Sequence, residues 1–170
     1  YGMVFGKAPG TDKELLLELR TRQLISLVLV PINDAFSKTT DVNPTSAEID
    51  DYQKGVGIGR PPTNPTREDL EAMARAKEEN INTVKTFKLL QALYQKHGGI
   101  VVSDGMSAPL LPLGAYRKLI EQHKKNNDFV IYDKELNETF WNFFEIHNRK
   151  DVITKEQFDL SQPWWRIYRN

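Results

Sequence analysis

The chain of 170 residues lacks cysteine, an excess of charge of either sign and any apolar run that could cross a bilayer. Without cysteine it forms neither a disulfide nor a thiolate metal site. Lys plus Arg number 23 and Asp plus Glu also number 23, and this balance predicts no nucleic-acid partner, because phosphate binding needs a cationic surplus. The longest apolar stretch, residues 24–32, is shorter than the ~20 residues that a membrane span needs.

Motifs of the common enzyme classes are missing as well. The three histidines form no pair at metal-binding spacing, and no serine lies in the Gly-x-Ser-x-Gly elbow of hydrolases. Residues 55–60 are rich in glycine, but prolines follow them where a phosphate loop would need the start of a helix. We therefore expect no cofactor and no metal, and we favour a protein that is not an enzyme. Glu145 and His147 are the candidate acid–base residues if it is one.

The chain does contain strong helix-start signals and long helical apolar patterns. Thr11 with Glu14 three residues later forms a capping-box pattern, and further N-caps are expected at Thr45 or Ser46 and at Thr66. The helices that they open are predicted to cover residues 11–39, 47–54 and 66–97. Residues 24–32 are apolar nearly all round, which predicts a central, buried first helix.

Two features predict irregularity within this helical pattern. Pro31 removes a helical hydrogen bond and clashes with the preceding turn, so we expect a kink or break there. The third helix would span ~45 Å, and its first half is charged, so this half is expected to project from the body or to bend. The Pro-rich linker 60–65 divides a segment 1–59 from a segment 66–170, which we expect to form one compact unit overall.

The later part of the chain adds short elements. Residues 100–102 and 129–132 are predicted as short strands that pair with each other, and helices are expected at 116–125, after Asp133 and after Thr154. The predicted fold class is therefore mainly α: a helical domain with a long kinked or projecting helix and at most two or three short strands.

Aromatic residues concentrate towards the end of the chain and are the best candidates for a binding site. Packing in the hydrophobic core is the ordinary role for such residues, and a groove for apolar peptide segments is the functional one. Since aromatic residues on both sides of a helix cannot all enter one buried face, some are expected to line a cleft, and Trp164 or Trp165 is expected to be exposed. The candidate binding residues are Phe140, Trp141, Phe144, Trp164, Trp165 and Tyr168.

Residues 3–53 carry a family resemblance. Val4-Phe5-Gly6-Lys7, the cap at Thr11, the long apolar helix and Thr45-Ser46-Ala47-Glu48-Ile49 together resemble the N-terminal domain of SurA-type periplasmic chaperones. Residues 66–170 resemble exported bacterial proteins of uncharacterised function, in which a long helix and an aromatic-rich end follow such a start. The resemblance implies a chaperone-like helical fold and a location in the periplasm or cell envelope. It carries over no catalytic residue, because the parvulin isomerase signature found in many SurA-type chains is missing here.

These observations predict an exported, chaperone-like helical module that binds extended or partly folded polypeptide. Numbering begins at Tyr1 rather than at a methionine, and we expect that a signal peptide or membrane anchor could have been removed. Two alternatives stay open. One is an interaction or inhibitor protein with a single dedicated partner, and the other is an enzyme whose cleft is built from scattered residues. The sequence does not determine the oligomeric state.

Overall fold

The computed structural model describes residues 11–58, 62–103, 110–145, 151–153 and 160–166. It confirms the prediction of a mainly α-helical fold with a small sheet. The helices are α1 (Asp12–Thr39), α2 (Ser46–Gly55), α3 (Arg67–His97), α4 (Leu113–Lys125) and α5 (Lys134–Phe143), followed by a 3-10 turn at Trp164–Arg166. The strands are β1 (Val101–Ser103), β2 (Leu110–Leu111) and β3 (Val152–Ile153). No helix in these ranges is both long enough and apolar enough to cross a membrane.

The first three helices begin at capping boxes, as their sequences predict. Thr11, Thr45 and Thr66 each accept a hydrogen bond at Oγ1 from the backbone N–H three residues later, at 3.4, 3.2 and 3.2 Å. In each case the acidic residue at that position accepts in return from the backbone N–H of the threonine. These reciprocal bonds satisfy N–H groups that a helix start otherwise leaves without partners.

Helix α1 has one buried and one exposed face, although its residues 24–32 are apolar nearly all round. Its buried side chains are Thr21, Ile25, Val28, Leu29, Ile32 and Phe36. Its opposite face exposes large apolar side chains, and Leu27 is 73% exposed. The expectation that the whole segment would be buried is therefore wrong. Pro31 lies inside a continuous helix, so the break that was one of the two outcomes expected there does not occur.

Helix α3 consists of an exposed half and a packed half. From Arg67 to Glu79 every residue except Asp69 is exposed, in agreement with the prediction of a charged half that leaves the body. The packed half buries Val84, Leu90 and Leu93 among other residues. The helix ends as predicted at Gly98, whose φ of 61° favours glycine.

The three strands form one antiparallel sheet in the order β2-β1-β3. Val102 lies opposite Leu111 in β2 and opposite Val152 in β3. The prediction of a strand near residues 100–102 is thus confirmed, but its predicted partner is wrong. Residues 129–132 form no strand; Phe129 and Ile131 instead pack against the core as part of an irregular connection.

One hydrophobic core joins residues from both sides of the Pro-rich segment. Helix α1 packs against α5, α2 packs against α3, and α3 packs against α4. The start of α4 also lies against the turn after α3, where Gly114 N–H donates to Ile100 O at 3.1 Å. The predicted cap at Thr154 lies outside the described residues, as do residues 59–61 of the predicted linker region.

A carboxylate at the start of α2 ties this helix to α3. Glu48 Oε2 accepts from Thr45 N–H at 2.7 Å and from Lys88 Nζ at 3.1 Å, and Lys88 Nζ also donates to Asn43 O at 2.8 Å. Burial raises the pKa of Glu48, but the hydrogen bonds from Thr45 and Lys88 outweigh it and lower the pKa below the ordinary 4.5. The ionised form of Glu48 therefore stabilises the folded chain.

The substitution Glu48→Gln is expected to lower the free energy of unfolding at neutral pH by about 0.2–1 kcal/mol, a small value because water screens this half-exposed pair. Since the pKa of Glu48 is lower in the folded chain than in the unfolded one, the contribution is full above pH 4.5 and is lost as pH falls through the folded pKa. Urea unfolding from pH 7 to pH 3 measures it. The curves of wild type and variant should converge at the acid end. The exposed Glu78→Gln is the control, and a difference that persists unchanged into acid would contradict the assignment.

Candidate functional site

The candidate binding residues fall into two groups in the structure. Phe140, Trp141 and Phe144 lie on or directly after α5, where their rings contact one another. Trp164 and Trp165 lie in the 3-10 turn and contact Tyr52 of α2. Ring contacts within the described residues do not link the two groups. Tyr168 and His147 lie outside the described residues.

In the first group, only Trp141 reaches the surface. Phe140 and Phe144 are 0% exposed, and their ring centroids lie 5.3 Å apart. They belong to the hydrophobic core and do not line a surface groove in this conformation. Trp141 packs edge-on against Phe140, with ring centroids 5.3 Å apart, and stays half-buried. The core therefore fixes the orientation of the Trp141 ring.

In the second group, the expectation of an exposed tryptophan does not hold for Trp165, which is 2% exposed. Its ring packs edge-on against Tyr52 at 5.1 Å and Phe87 at 5.0 Å, and its Nε1–H donates to Asp51 Oδ2 at 2.9 Å. Trp164 is half-buried beside it. Trp165 thus anchors the 3-10 turn to α2 and α3 and is not free to take a ligand.

An open cleft of about 560 Å³ lies beside Trp141, between α4 and the last turn of α5. We call it the Trp141 cleft. It is lined by Arg117, Glu121, Lys124, Lys125, Asn127 and Trp141. Arg117, Glu121 and Lys124 or Lys125 lie on one face of α4, because residues three or four apart on a helix are neighbours. The lining therefore combines an aromatic ring with three cations and one carboxylate.

The ion pairs of Arg117 set the charge at one side of the cleft. Arg117 Nε contacts Glu121 Oε1 at 3.1 Å, and its NH1 contacts Glu145 Oε1 at 3.1 Å. The hydrogen bond with Glu121, followed by the charge of Glu145, raises the pKa of Arg117 despite some burial. Glu145, which the sequence suggested as a candidate catalytic residue, thus forms one of the two ion pairs that hold Arg117.

Lys124 and Lys125 carry positive charge that is available to a ligand at the other side of the Trp141 cleft. The Nζ of Lys124 lies 4.7 Å from the centroid of the Trp141 ring, a cation–π arrangement. In the described part of the chain neither lysine has an ion pair with a carboxylate. Both also complement the negative end of the α4 dipole. Together, the Trp141 face and two ammonium groups can accept an apolar side chain next to a carboxylate.

His123, near the end of α4, lies next to a carboxylate. His123 Nδ1 lies 2.6 Å from Asp128 Oδ2, just after α4, and His123 is only partly exposed. His97 lies at the end of α3, where burial and then the charges of Lys96 and Lys118 lower its pKa. These histidines lie in separate places, and within the described ranges no group of three or more potential ligands could hold a metal ion.

Sequence reasoning identified Trp141 but missed the cations beside it. The residues Lys124 and Lys125 read as an ordinary basic last turn of a helix, and nothing local indicates that α5 places a tryptophan against them. Comparison of the chain with protein-family models, curated proteins and solved structures gives no match. The resemblance of residues 3–53 to SurA-type chaperones stays a prediction.

Proposed function

We propose that this protein is a non-enzymatic binding protein that holds extended polypeptide segments in the Trp141 cleft. The observation that carries the proposal is the seating of the Lys124 ammonium over the Trp141 ring, beside a second lysine, in an open cleft. The preferred segment would place an apolar side chain against Trp141 and a carboxylate against Lys124 and Lys125. An open, shallow cleft suits a polypeptide segment that binds and dissociates, rather than a small molecule that must be enclosed.

The energetics of such a site favour weak, sequence-tolerant binding. Aromatic contact supplies apolar area without a strict shape requirement, while exposed charge pairs contribute little affinity each but steer a ligand of opposite charge. We therefore expect dissociation constants in the micromolar range for peptides that alternate acidic and apolar residues. Peptides that alternate basic and apolar residues should bind much more weakly, because they meet the ammonium groups of Lys124 and Lys125.

Fluorescence anisotropy of labelled peptides of these two types tests the proposal. Trp141→Ala and the double substitution Lys124→Glu with Lys125→Glu are each expected to weaken binding of the acidic peptide about tenfold or more, which corresponds to 1.4 kcal/mol. Lys85→Glu, an exposed position on α3, is the control for charge reversal outside the cleft. Equal weakening by Lys85→Glu would show long-range charge attraction rather than a site.

Suppression of aggregation of a denatured client protein measures the chaperone-like part of the proposal. Suppression that Trp141→Ala removes would support holding of unfolded chains at the cleft. If neither peptide type binds and aggregation is unaffected, the polypeptide-binding proposal fails, and a dedicated protein partner becomes the better account. Tight one-to-one binding to a single native protein, sought by pull-down, would identify that alternative.

We also propose that the protein is exported to the periplasm or cell envelope. The support is the resemblance of residues 3–53 together with the lack of cysteine, which is common among bacterial envelope proteins. Cell fractionation with an antibody against the protein tests the location. Recovery only with cytosolic marker enzymes would contradict it.

A further inference from the structure

The turn that ends α4 lines the Trp141 cleft, and its backbone conformation is uncommon. Asn127 has a φ of 60°, and in the described ranges it is the one residue other than glycine with a positive φ. Its N–H donates to Lys124 O at 3.1 Å, and the Asp128 N–H donates to His123 O at 3.0 Å. These two bonds define a Schellman turn, in which a residue just after the helix adopts the left-handed conformation. Asn127 therefore occupies a position where glycine is most common.

Two other helices end in the same backbone region, and both do so with glycine. Gly57 after α2 has a φ of 71°, and Gly98 after α3 has a φ of 61°. A Cβ at either position would meet no atom within 4 Å, so backbone conformation rather than lack of space favours glycine there. Within the described residues, the left-handed helix end that departs from glycine is the one that lines the cleft. The asparagine at this position indicates a role for its side chain.

The side-chain amide of Asn127 is available to a ligand. Asn127 is exposed, and within the described part of the chain its side chain makes no hydrogen bond. Among the residues that line the cleft, it alone carries both a donor and an acceptor in its side chain, since the cations and the indole only donate and a carboxylate only accepts. In an extended chain the N–H and C=O of one residue point the same way. One amide can therefore pair with both.

The turn holds this amide beside the other groups of the cleft. His123 Nδ1 lies 2.6 Å from Asp128 Oδ2, so a polar contact joins the two ends of the turn where an apolar contact is usual. The carbonyl that accepts from Asn127 N–H belongs to Lys124, whose Nζ lies 4.7 Å from the centroid of the Trp141 ring. The amide is therefore tied through the backbone to the residue whose ammonium group lies over the ring.

We propose that Asn127 binds the main chain of the polypeptide segment in the Trp141 cleft, an assignment that rests on the proposed function. Its amide donates to the C=O and accepts from the N–H of one extended residue, while Trp141 contacts an apolar side chain and the two lysines contact a carboxylate. Main-chain groups are the same in every sequence, so this contact supplies affinity without restricting the sequence that binds. It also distinguishes a polypeptide from other molecules that combine an apolar group with a carboxylate.

Fluorescence anisotropy with the labelled acidic–apolar peptide and two exchanges of glycine and asparagine tests the assignment. Asn127→Gly removes the amide and keeps the turn, because glycine adopts a positive φ without strain. It is expected to raise the dissociation constant about fivefold or more, as for loss of a hydrogen bond between uncharged groups. Gly57→Asn, the reverse exchange at the end of α2, is the control and should leave binding unchanged. Circular dichroism of each variant establishes that it is folded.

The outcomes separate this assignment from the proposed function. If wild type binds the peptide and Asn127→Gly binds it equally well, the role of Asn127 is overturned and the proposed function stands. If Gly57→Asn weakens binding as much as Asn127→Gly does, the effect is not specific to the cleft and the role of Asn127 is again overturned. If wild type does not bind the peptide, the proposed function and the role of Asn127 are both overturned.

A set of modified peptides shows whether the contact of Asn127 is to the main chain. Each peptide replaces one main-chain amide by an ester, which removes one N–H and leaves every side chain unchanged. At one position the ester should weaken binding to wild type about fivefold. The same ester should have little effect on binding to Asn127→Gly, because the partner of that N–H is already missing. Esters that weaken binding to both proteins equally at every position would overturn the proposal.

Discussion

Replacing Trp165 with alanine is expected to lower the free energy of unfolding by about 3–5 kcal/mol, the usual cost of truncating a buried aromatic side chain. The indole is 2% exposed and packs between Tyr52 of α2 and Phe87 of α3. Alanine would leave a cavity between these helices and would remove the donor to Asp51 Oδ2. A domain is stable by only about 5–15 kcal/mol, so the loss is a large fraction of the total.

Urea unfolding followed by far-ultraviolet circular dichroism measures the loss without relying on tryptophan emission. Trp164→Ala is the matched control, because Trp164 precedes Trp165 directly but is only half-buried; it should cost clearly less. Asp51→Ala removes the acceptor of the Trp165 Nε1–H and leaves the indole in place, so it separates the hydrogen bond from the packing. A Trp165→Ala variant within about 1 kcal/mol of wild type would contradict the described packing of the 3-10 turn, because truncation of a buried tryptophan typically costs about 3–5 kcal/mol.

Gly114→Ala is expected to destabilise the chain, although glycine to alanine within a helix normally stabilises by roughly 0.5–1 kcal/mol. A Cβ at position 114 would lie 2.6 Å from Ile100 N and 2.8 Å from Gly99 Cα. These are backbone atoms, and Ile100 O also accepts the hydrogen bond from Gly114 N–H. The added methyl must therefore push α4 away from the turn after α3, and overpacking of this kind costs about 1–3 kcal/mol.

Gly114→Ala is expected to change the free energy of unfolding in the direction opposite to the usual glycine-to-alanine substitution in a helix. Ala35→Gly, at an exposed position of α1, is the opposite substitution and should also destabilise, by about 1 kcal/mol. Urea unfolding of both variants compares them directly, and Gly114→Val should exceed Gly114→Ala because its side chain is larger and branched. A gain in stability from Gly114→Ala would mean that the turn and α4 do not approach closely in solution.

The helix starts could be predicted because their causes are local. A threonine accepts the N–H of an acidic residue three positions later, and that carboxylate accepts the N–H of the threonine. Thr11, Thr45 and Thr66 therefore indicate the starts of three helices whatever surrounds them. The end of α3 at Gly98 is equally local, since only the backbone conformation at that position matters. Each of these positions agrees with the structure to within a residue or two.

The strand pairing and the site could not be predicted because they depend on contacts between distant residues. Residues 129–132 have the composition of a strand, yet β1 pairs with Val152 and Leu111 instead, and local propensity contains no information on that choice. Apolar composition alone also could not tell which face of α1 is buried. The Trp141 cleft requires Lys124 and Trp141, seventeen residues apart in sequence, to meet across two helices.

The two halves of α3 tolerate substitutions to different degrees. A substitution near Leu93, which is 0% exposed, must fit several neighbours at once, whereas a substitution between Arg67 and Glu79 needs only to remain compatible with helix. Evolution can therefore alter the charge or length of this half at little cost in folding. The same property makes it the natural position for an affinity tag or a fluorescent label, since a group attached there leaves both the core and the Trp141 cleft unaltered.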